Sequence, residues 1–329
     1  MAAKQRVAII GTGNIARAHA NAYKANAEQA EVVAVADVEE GRAKAFAEQH
    51  GFGAAYGDAG AMLAAVRPDA VSICTPNFLH APLTIQSLEA GAAVLCEKPM
   101  ATTLADAERM KATAQRTGKT LYIGFNHRFI GKFAKGKELL DGGDYGNLLV
   151  CRIAIGHGDF ARLGGMWFAK KELSGGGTLI DNGVHMLDML RWYGGSISSA
   201  QAQTKRLKLT QGDAEDNAIA LFQLGNGGMA SLQCSWTWPP RYTLLFHMIC
   251  EQGTIDLSGD DVIAYRSGDP APQIITIPPT DNNKEQAAHF LAAARGEEPA
   301  FVTADDGIAA VRTALAAYES NERGITVTL

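Results

Sequence analysis

The sequence predicts an α/β protein in two parts: a doubly wound parallel sheet over residues 1–125, then an α+β domain with an open, largely antiparallel sheet over residues 126–329. Three observations predict it. Short apolar runs alternate with helical stretches from Val7 to Gly124, the pattern of parallel strands joined by crossover helices. A glycine turn, Gly11-Thr12-Gly13-Asn14-Ile15-Ala16, joins the first strand to the first helix. Beyond about residue 126 the alternation stops, and strands of period two follow one another.

Composition bounds what such a chain can do. Its 329 residues exceed one comfortable core, so two domains are expected. Apolar residues make up 47% and charged residues only 20%, which describes a compact, folded chain. A net charge of −5, without a basic block, argues against a nucleic-acid partner. No apolar run approaches the ~20 residues that span a bilayer, and Met1-Ala2-Ala3-Lys4-Gln5-Arg6 runs straight into a strand, leaving no room for a leader. The five cysteines, Cys74, Cys96, Cys151, Cys234 and Cys250, are scattered and lack CxxC spacing. They read as reduced thiols of a cytoplasmic protein rather than a disulfide frame or a zinc site.

Val7-Ala8-Ile9-Ile10 has the unbroken apolar character of a parallel strand covered on both faces. It enters the glycine turn and then a helix over Arg17–Asn26. Glycines permit the tight turn, and amides at a helix N-terminus can hold a pyrophosphate. The second strand, Val32–Ala36, ends in Asp37, where a carboxylate can accept hydrogen bonds from an adenosine ribose. Strand, turn, helix and acid together predict a Rossmann domain that binds NAD through Gly11, Gly13, Asn14, Ile15 and Asp37. NAD is expected over NADP, because Asp37 would repel a 2′-phosphate and no arginine stands at Val38 or Glu39, although Arg42 follows one turn later.

Helices are expected at Glu39–Gly51, Ala59–Val66, Pro82–Ala90 and residues 102–117, with strands at Ala70–Cys74, Ala93–Cys96 and Leu121–Gly124. Doubly wound sheets bind ligands beyond the carboxyl ends of their strands. Thr75, Pro76, Asn77 and His80 follow one such end, Glu97 and Lys98 another, and Asn126-His127-Arg128 the last. In the second part, a helix over Lys132–Leu140 precedes strands at Leu148–Ile153, Ala218–Leu224, Met229–Trp236, Thr243–Cys250 and Val262–Arg266. Helices at Asn283–Arg295 and Asp305–Asn321 follow.

Between these strands lies Gly175-Gly176-Gly177-Thr178-Leu179-Ile180-Asp181-Asn182-Gly183-Val184-His185-Met186-Leu187-Asp188. Three glycines suit a crowded turn, and the apolar helical run after them stacks Asp181 and His185, four apart, on one face. Asp188 is either helix surface or a group behind the site.

Three motifs stand together: G-T-G-N-I-A, Cys96-Glu97-Lys98-Pro99-Met100, and the glycine run that ends in D-N-G-V-H-M-L-D. In this order, and over nearly the whole chain, the sequence resembles the glucose–fructose oxidoreductase, inositol dehydrogenase and rhizopine-catabolism (Gfo/Idh/MocA) family. The resemblance implies hydride exchange between a nicotinamide and a sugar or polyol carbon. It also implies that Lys98, Asp181 and His185 are the catalytic groups, and that Thr75, Pro76, Asn77, His80, Glu97 and Lys98 line the cofactor side. Gly124–Phe129 resembles the domain junction of the family.

Removing a hydroxyl proton as hydride leaves carbon requires a base near the working pH, which an imidazole supplies. Lys98 can donate to the developing alkoxide. Glu97 is either an orienter of Lys98 or a carboxylate that pins the turn. A cis bond before Pro99 fits the rule that cis peptides precede proline. The segment Gly156–Phe168 mixes rings with polar groups, as sugar sites do, and offers His157, Arg162 and Trp167 beside Asn126 and Arg128 as substrate contacts. His127, Asp181 and His185 do not have metal-ligand spacing, and no metal is expected. The expected partners are a small carbohydrate and a second or further copy of the chain, a dimer or tetramer formed through the apolar face of the open sheet. Ala220, Phe222, Leu232, Cys234, Trp236, Leu245 and His247 are read as that face. Redox-assisted glycoside hydrolysis and a non-catalytic cofactor-binding regulator are the other function classes this architecture admits.

Overall fold

A computed structural model describes residues 4–238 and 242–329. The described chain divides into two compact units: Met1–Asn126 with Asp281–Ile308, and His127–Thr280 with Ala309–Leu329. Among the described residues the strands form one sheet of six and one of nine.

In the first unit, β1 (Gln5–Ile10), β2 (Ala30–Ala36), β3 (Ala54–Tyr56), β4 (Ala70–Ile73), β5 (Ala93–Cys96) and β6 (Leu121–Ile123) pair in parallel in the order β3-β2-β1-β4-β5-β6. Val7, Ala8 and Ile9 are fully buried, because crossover helices cover both faces of a parallel sheet. These helices are α1 (Asn14–Ala25), α2 (Glu40–His50), α3 (Ala59–Val66), α4 (His80–Glu89) and α5 (Leu104–Thr117). Sequence order reverses between β1 and β4, so the crevice of the sheet opens beyond Ile10 and Ile73, which pair in register. The turn after β1 and the loop at Thr75 therefore stand side by side.

The second unit contains α6 (Gly131–Asp141), β7 (Leu148–Gly156), the short helices α7 (Phe160–Leu163) and α8 (Lys171–Ser174), a π-helical turn (Leu179–Gly183), and α9 (Val184–Gly194). It continues through β8 (Ile197–Lys205), β9 (Asn217–Leu224), β10 (Met229–Ser235), β11 (Thr243–Cys250), β12 (Gly253–Asp256), β13 (Val262–Arg266) and β14 (Gln273–Ile275). After α10 (Asn282–Ala294) and α11 (Ala304–Arg323), the short β15 (Val327–Thr328) closes the chain. The sheet order is β14-β13-β12-β11-β7-β10-β9-β8-β15. Its pairs are antiparallel except β7 with β10, so the expectation of a largely antiparallel sheet holds.

Three expectations need correction. Residues 126–329 are not one continuous unit: Asp281–Ile308, with α10, belongs to the first. Asn26 donates to the Lys284 carbonyl at 3.0 Å, Arg295 to Gln29 at 3.1 Å, and α10 lies along α1. An amphipathic helix announces that it will be buried, not which sheet will bury it. Second, β3, β8, β12, β14 and β15 were not foreseen. β8, with the sequence Ile-Ser-Ser-Ala-Gln-Ala-Gln-Thr-Lys, buries little beyond Ala200 and Ala202 and carries a weak apolar signal. Third, Ala220, Phe222, Leu232, Cys234 and Trp236 are fully buried and form the covered face of the sheet. The open face has the opposite parity, with Ile219, Leu221 and Met229 well exposed, and of the seven residues named only Leu245 and His247 belong to it. Alternation gives the two faces but not which one the helices cover.

No helix among the described residues is long and apolar enough to cross a membrane. All five cysteines are buried and free.

Candidate functional sites

The candidate cofactor site lies on the first unit. Gly11 has φ +90°, and a Cβ there would stand 2.6 Å from the Cys74 carbonyl oxygen, so the turn closes over β4 only with glycine. Gly13 is the N-cap of α1 and brings no side chain over the first amides, which helix geometry leaves without an intrahelical acceptor. Asp37 accepts the Thr12 amide at 2.9 Å and the Thr12 hydroxyl at 2.7 Å, and its other oxygen accepts the Glu39 amide at 3.0 Å. Burial works to raise this carboxyl, but these bonds and the charge of Arg42 hold it below the usual carboxylate range. An ionised acid therefore stands at the end of β2, 3.8 Å from the half-exposed Arg42 guanidinium. The Thr75 hydroxyl is buried at the end of β4 and has no hydrogen-bond partner among the described residues. A tight glycine turn, a helix start without a side-chain cap, a fixed ribose-type acid and an orphaned hydroxyl at the crevice together fit NAD.

Two of the expected cofactor contacts are spent elsewhere. His80 is 1% exposed, with Nδ1 2.7 Å from the Pro99 carbonyl oxygen and Nε2 3.0 Å from that of Thr75. It ties the loop after β4 to the turn after β5 and presents no ring nitrogen to a ligand. Glu97 is buried, its carboxylate turned towards His19 at 2.8 Å and the Lys98 amide at 3.3 Å. Lys98 itself is partly exposed between buried neighbours, and the Lys98–Pro99 bond is cis. Asn14 is exposed, Ile15 and Pro76 are partly exposed, and Asn77 is buried.

A separate group of candidate residues lies on the second unit. The chain from Leu179 to Leu190 is buried except at Asp181, Asn182 and His185, so the helix presents one polar patch from an otherwise apolar body. Asp181 falls in the π-helical turn, a distortion frequent at functional sites, and His185 in the first turn of α9. What holds this helix start explains the glycines. Buried Glu215 accepts the Gly177 amide at 2.8 Å, the Leu179 amide at 3.1 Å and the Tyr318 hydroxyl at 2.8 Å. A Cβ on Gly177 would sit 1.8 Å from the Glu215 carbonyl oxygen. Burial lifts the Glu215 carboxyl above the usual carboxylate range even against these donors. The imidazole of His127 stacks on that of His185, with ring centroids 4.0 Å apart and planes 16° from parallel. Face-to-face stacking does not point ring nitrogens at a shared ion, and no group of three or more His, Cys, Asp or Glu among the described residues could hold a metal.

The expected substrate contacts fare unevenly. Arg128 is no contact: its side chain is 4% exposed and grips Asp188 in a fork, Nε to Oδ2 at 2.9 Å and Nη2 to Oδ1 at 2.5 Å. Asp188 is thus a buried counter-ion and not helix surface. Asn126 donates to Asn283 at 3.0 Å within the first unit. Arg162 is exposed and paired with Asp159 at 2.8 Å, while His157 accepts the Asp159 amide at 3.2 Å. Trp167 stacks on Phe168 at 3.8 Å, and the segment is anchored by a small core of Leu163, Ala169, Leu209 and Trp236. Sequence reasoning missed His19, Glu215 and Tyr318; only His19, a histidine on the apolar face of the first helix, left a visible signal.

Known proteins share the family and the fold of this chain. Residues 5–125 match the Gfo/Idh/MocA oxidoreductase family model, described as an NAD-binding Rossmann fold, and residues 133–256 match the family's C-terminal domain. The chain is 37% identical over 250 residues to the D-glucoside 3-dehydrogenase of Escherichia coli, covering 70% of each chain. It is 26% identical to the myo-inositol 2-dehydrogenase of Thermotoga maritima, with 98% of each covered. Among solved structures, GenD2 from gentamicin A biosynthesis, in complex with NAD, superposes with a TM-score of 0.87 at 28% identity, covering 100% of this chain and 97% of that one.

Proposed function

The chain belongs to the Gfo/Idh/MocA oxidoreductase family, and from that premise we propose that it is an NAD-dependent dehydrogenase acting on a secondary alcohol, or the matching ketone, of a sugar, sugar derivative or cyclitol. One observation carries the reading: the buried helix of the second unit opens to the surface at an acid and an imidazole four residues apart. A D-glucoside at position 3 and myo-inositol at position 2, the substrates in two relatives' names, both offer a secondary alcohol.

His185 takes the hydroxyl proton as the C–H bond breaks, since an imidazole can serve as base near neutral pH. Asp181 orients the hydroxyl or the imidazole, and Lys98 donates to the oxygen as negative charge develops. Bound NAD supplies the hydride acceptor. The first unit's turn after β1 and Asp37 hold the pyrophosphate and the ribose.

Self-association belongs to the same proposal. The open face of the nine-stranded sheet exposes Ile219, Leu221 and Met229 at 57, 55 and 61%, and a second copy of the chain is the proposed cover.

The test is a screen of polyols, aldoses and glycosides with NAD, read as NADH absorbance against substrate consumed. One NADH per substrate, lost in Lys98→Ala and His185→Ala while folding and NAD binding persist, supports the reading. Near-parental turnover in either variant removes that residue from the mechanism. Free sugar released over many turnovers with substoichiometric NAD, and no matching NADH, would place the chain among redox-assisted hydrolases instead.

A further inference from the structure

Behind Lys98 lies a buried polar chain that the proton and hydride steps do not use. Tyr23 on α1 shares a hydrogen bond with Ser72 on β4 at 2.7 Å, and Ser72 Oγ lies 3.1 Å from His19 Nδ1. His19 Nε2 is 2.8 Å from Glu97 Oε1, and Glu97 Oε2 accepts the Lys98 amide at 3.3 Å. His19 and Glu97 are 3% and 6% exposed. Burial alone would lower the His19 pKa, but the Cys74 sulfur and Glu97 raise it to about 10. Burial would raise that of Glu97, but His19 holds it below the usual range. Opposite shifts of this kind favour an ion pair, and both ring nitrogens of His19 are engaged, Nδ1 by Ser72 and Nε2 by Glu97.

We propose that His19 is a positioning residue for Lys98: through Glu97 it fixes the Glu97-Lys98-Pro99 turn, and with it the direction in which the lysine side chain leaves the sheet. The inference rests on the reading of Lys98 as a catalytic group. Three further features support it. His80 holds the far end of the same turn through the Pro99 carbonyl, so the tripeptide is tied on both sides of the one residue that reaches the surface. The neighbouring strand end leaves space for the carboxylate: a Cβ on Gly124 would stand 3.0 Å from Glu97 Oε1. A buried ion pair is also a poor stabiliser compared with apolar side chains of the same volume. What apolar side chains could not provide is a fixed acceptor for the Lys98 amide.

The experiment compares His19→Leu, which fills the space without a donor, with His19→Gln, which restores an N–H, each alone and with Lys98→Ala. A displacement of about 1 Å at a catalytic group costs on the order of 100-fold. His19→Leu is expected to lower kcat by roughly 10- to 100-fold, with the Kd for NAD, read by tryptophan fluorescence, held within about threefold. His19→Gln should recover most of the loss, and His19→Leu should cost nothing further once Lys98 is alanine. A second readout needs no turnover: reductive 13C-methylation gives Lys98 a resonance, assigned by its absence in Lys98→Arg, which His19→Leu should shift. If His19→Leu does not fold, Glu97→Gln takes its place in the same comparisons. Equal losses with and without Lys98, or an unmoved Lys98 resonance, would overturn the inference. Full activity in Lys98→Ala alone would instead overturn the reading beneath it.

Discussion

Truncating Arg128 to alanine should damage stability rather than substrate affinity. The guanidinium and the Asp188 carboxylate are 4% and 0% exposed and meet through two hydrogen bonds, with Trp192 beneath the guanidinium at 5.6 Å. Removing one partner of a buried pair leaves the other charge desolvated without compensation, at about 3–5 kcal/mol. Against a native stability of roughly 5–15 kcal/mol, that is a large fraction. At about 2–4 °C per kcal/mol for a unit of this size, Arg128→Ala should melt roughly 6–20 °C below the parent in calorimetry. Replacing both charges, as Arg128→Met with Asp188→Leu, should restore most of the loss, because apolar packing can match a buried pair. Michaelis constants measured below the melting range should stay close to parental. A variant that melts with the parent but shows a KM raised more than about tenfold would mean that the guanidinium serves the substrate, as its place in the sequence first suggests.

Gly177→Ala forces a Cβ into the Glu215 backbone at 1.8 Å and should cost about 3 kcal/mol or more, whereas Gly165→Ala, with open space around it, should melt with the parent; equal melting of the two variants would refute the account of the glycine run. Asp37, ionised at the end of β2, should make kcat/KM larger with NAD than with NADP, and equal efficiencies would contradict its assigned role. For pH, the His19 contribution to stability is full below its ordinary pKa of 6.5 and fades as pH rises towards about 10, while that of Glu97 is full above 4.5 and fades in acid. The stability difference between the parent and His19→Leu should therefore peak between those two ordinary values and shrink on the alkaline side, and a difference that grows above pH 7 would reverse the assignment. Light scattering at micromolar concentration should give a dimer or tetramer, and Leu221→Lys on the open sheet face should shift it towards monomer; a monomeric parent would refute the proposed use of that face.

Much of the fold was legible because its signals are local. β1, the glycine turn and the acid after β2 lie within one stretch of chain, and helix starts and stops carry their own marks, such as Gly51 in the left-handed conformation at the end of α2. The candidate site is legible where its motif is contiguous: Glu97-Lys98-Pro99, and the spacing of Asp181 and His185. Sequence failed wherever the partner is distant. Nothing near Arg128 announces that Asp188 will take its charge, or near the glycine run that Glu215 and Tyr318 will pack into it. The π-helical turn at Leu179–Gly183 carries no local mark in the sequence either.

The division of the first unit has a consequence for how the chain is made. Its six strands are complete at Ile123, but the helix that lies along α1 arrives only after the 154 residues from His127 to Thr280 have been added. At ribosomal speeds of about 5–20 residues per second, the nascent sheet waits on the order of 10 s with that side of α1 uncovered. Translation rate and chaperone occupancy during that interval, more than the stability of the finished protein, should then govern how much of it reaches the native state. A gene cut after residue 126 would leave its product in that waiting state.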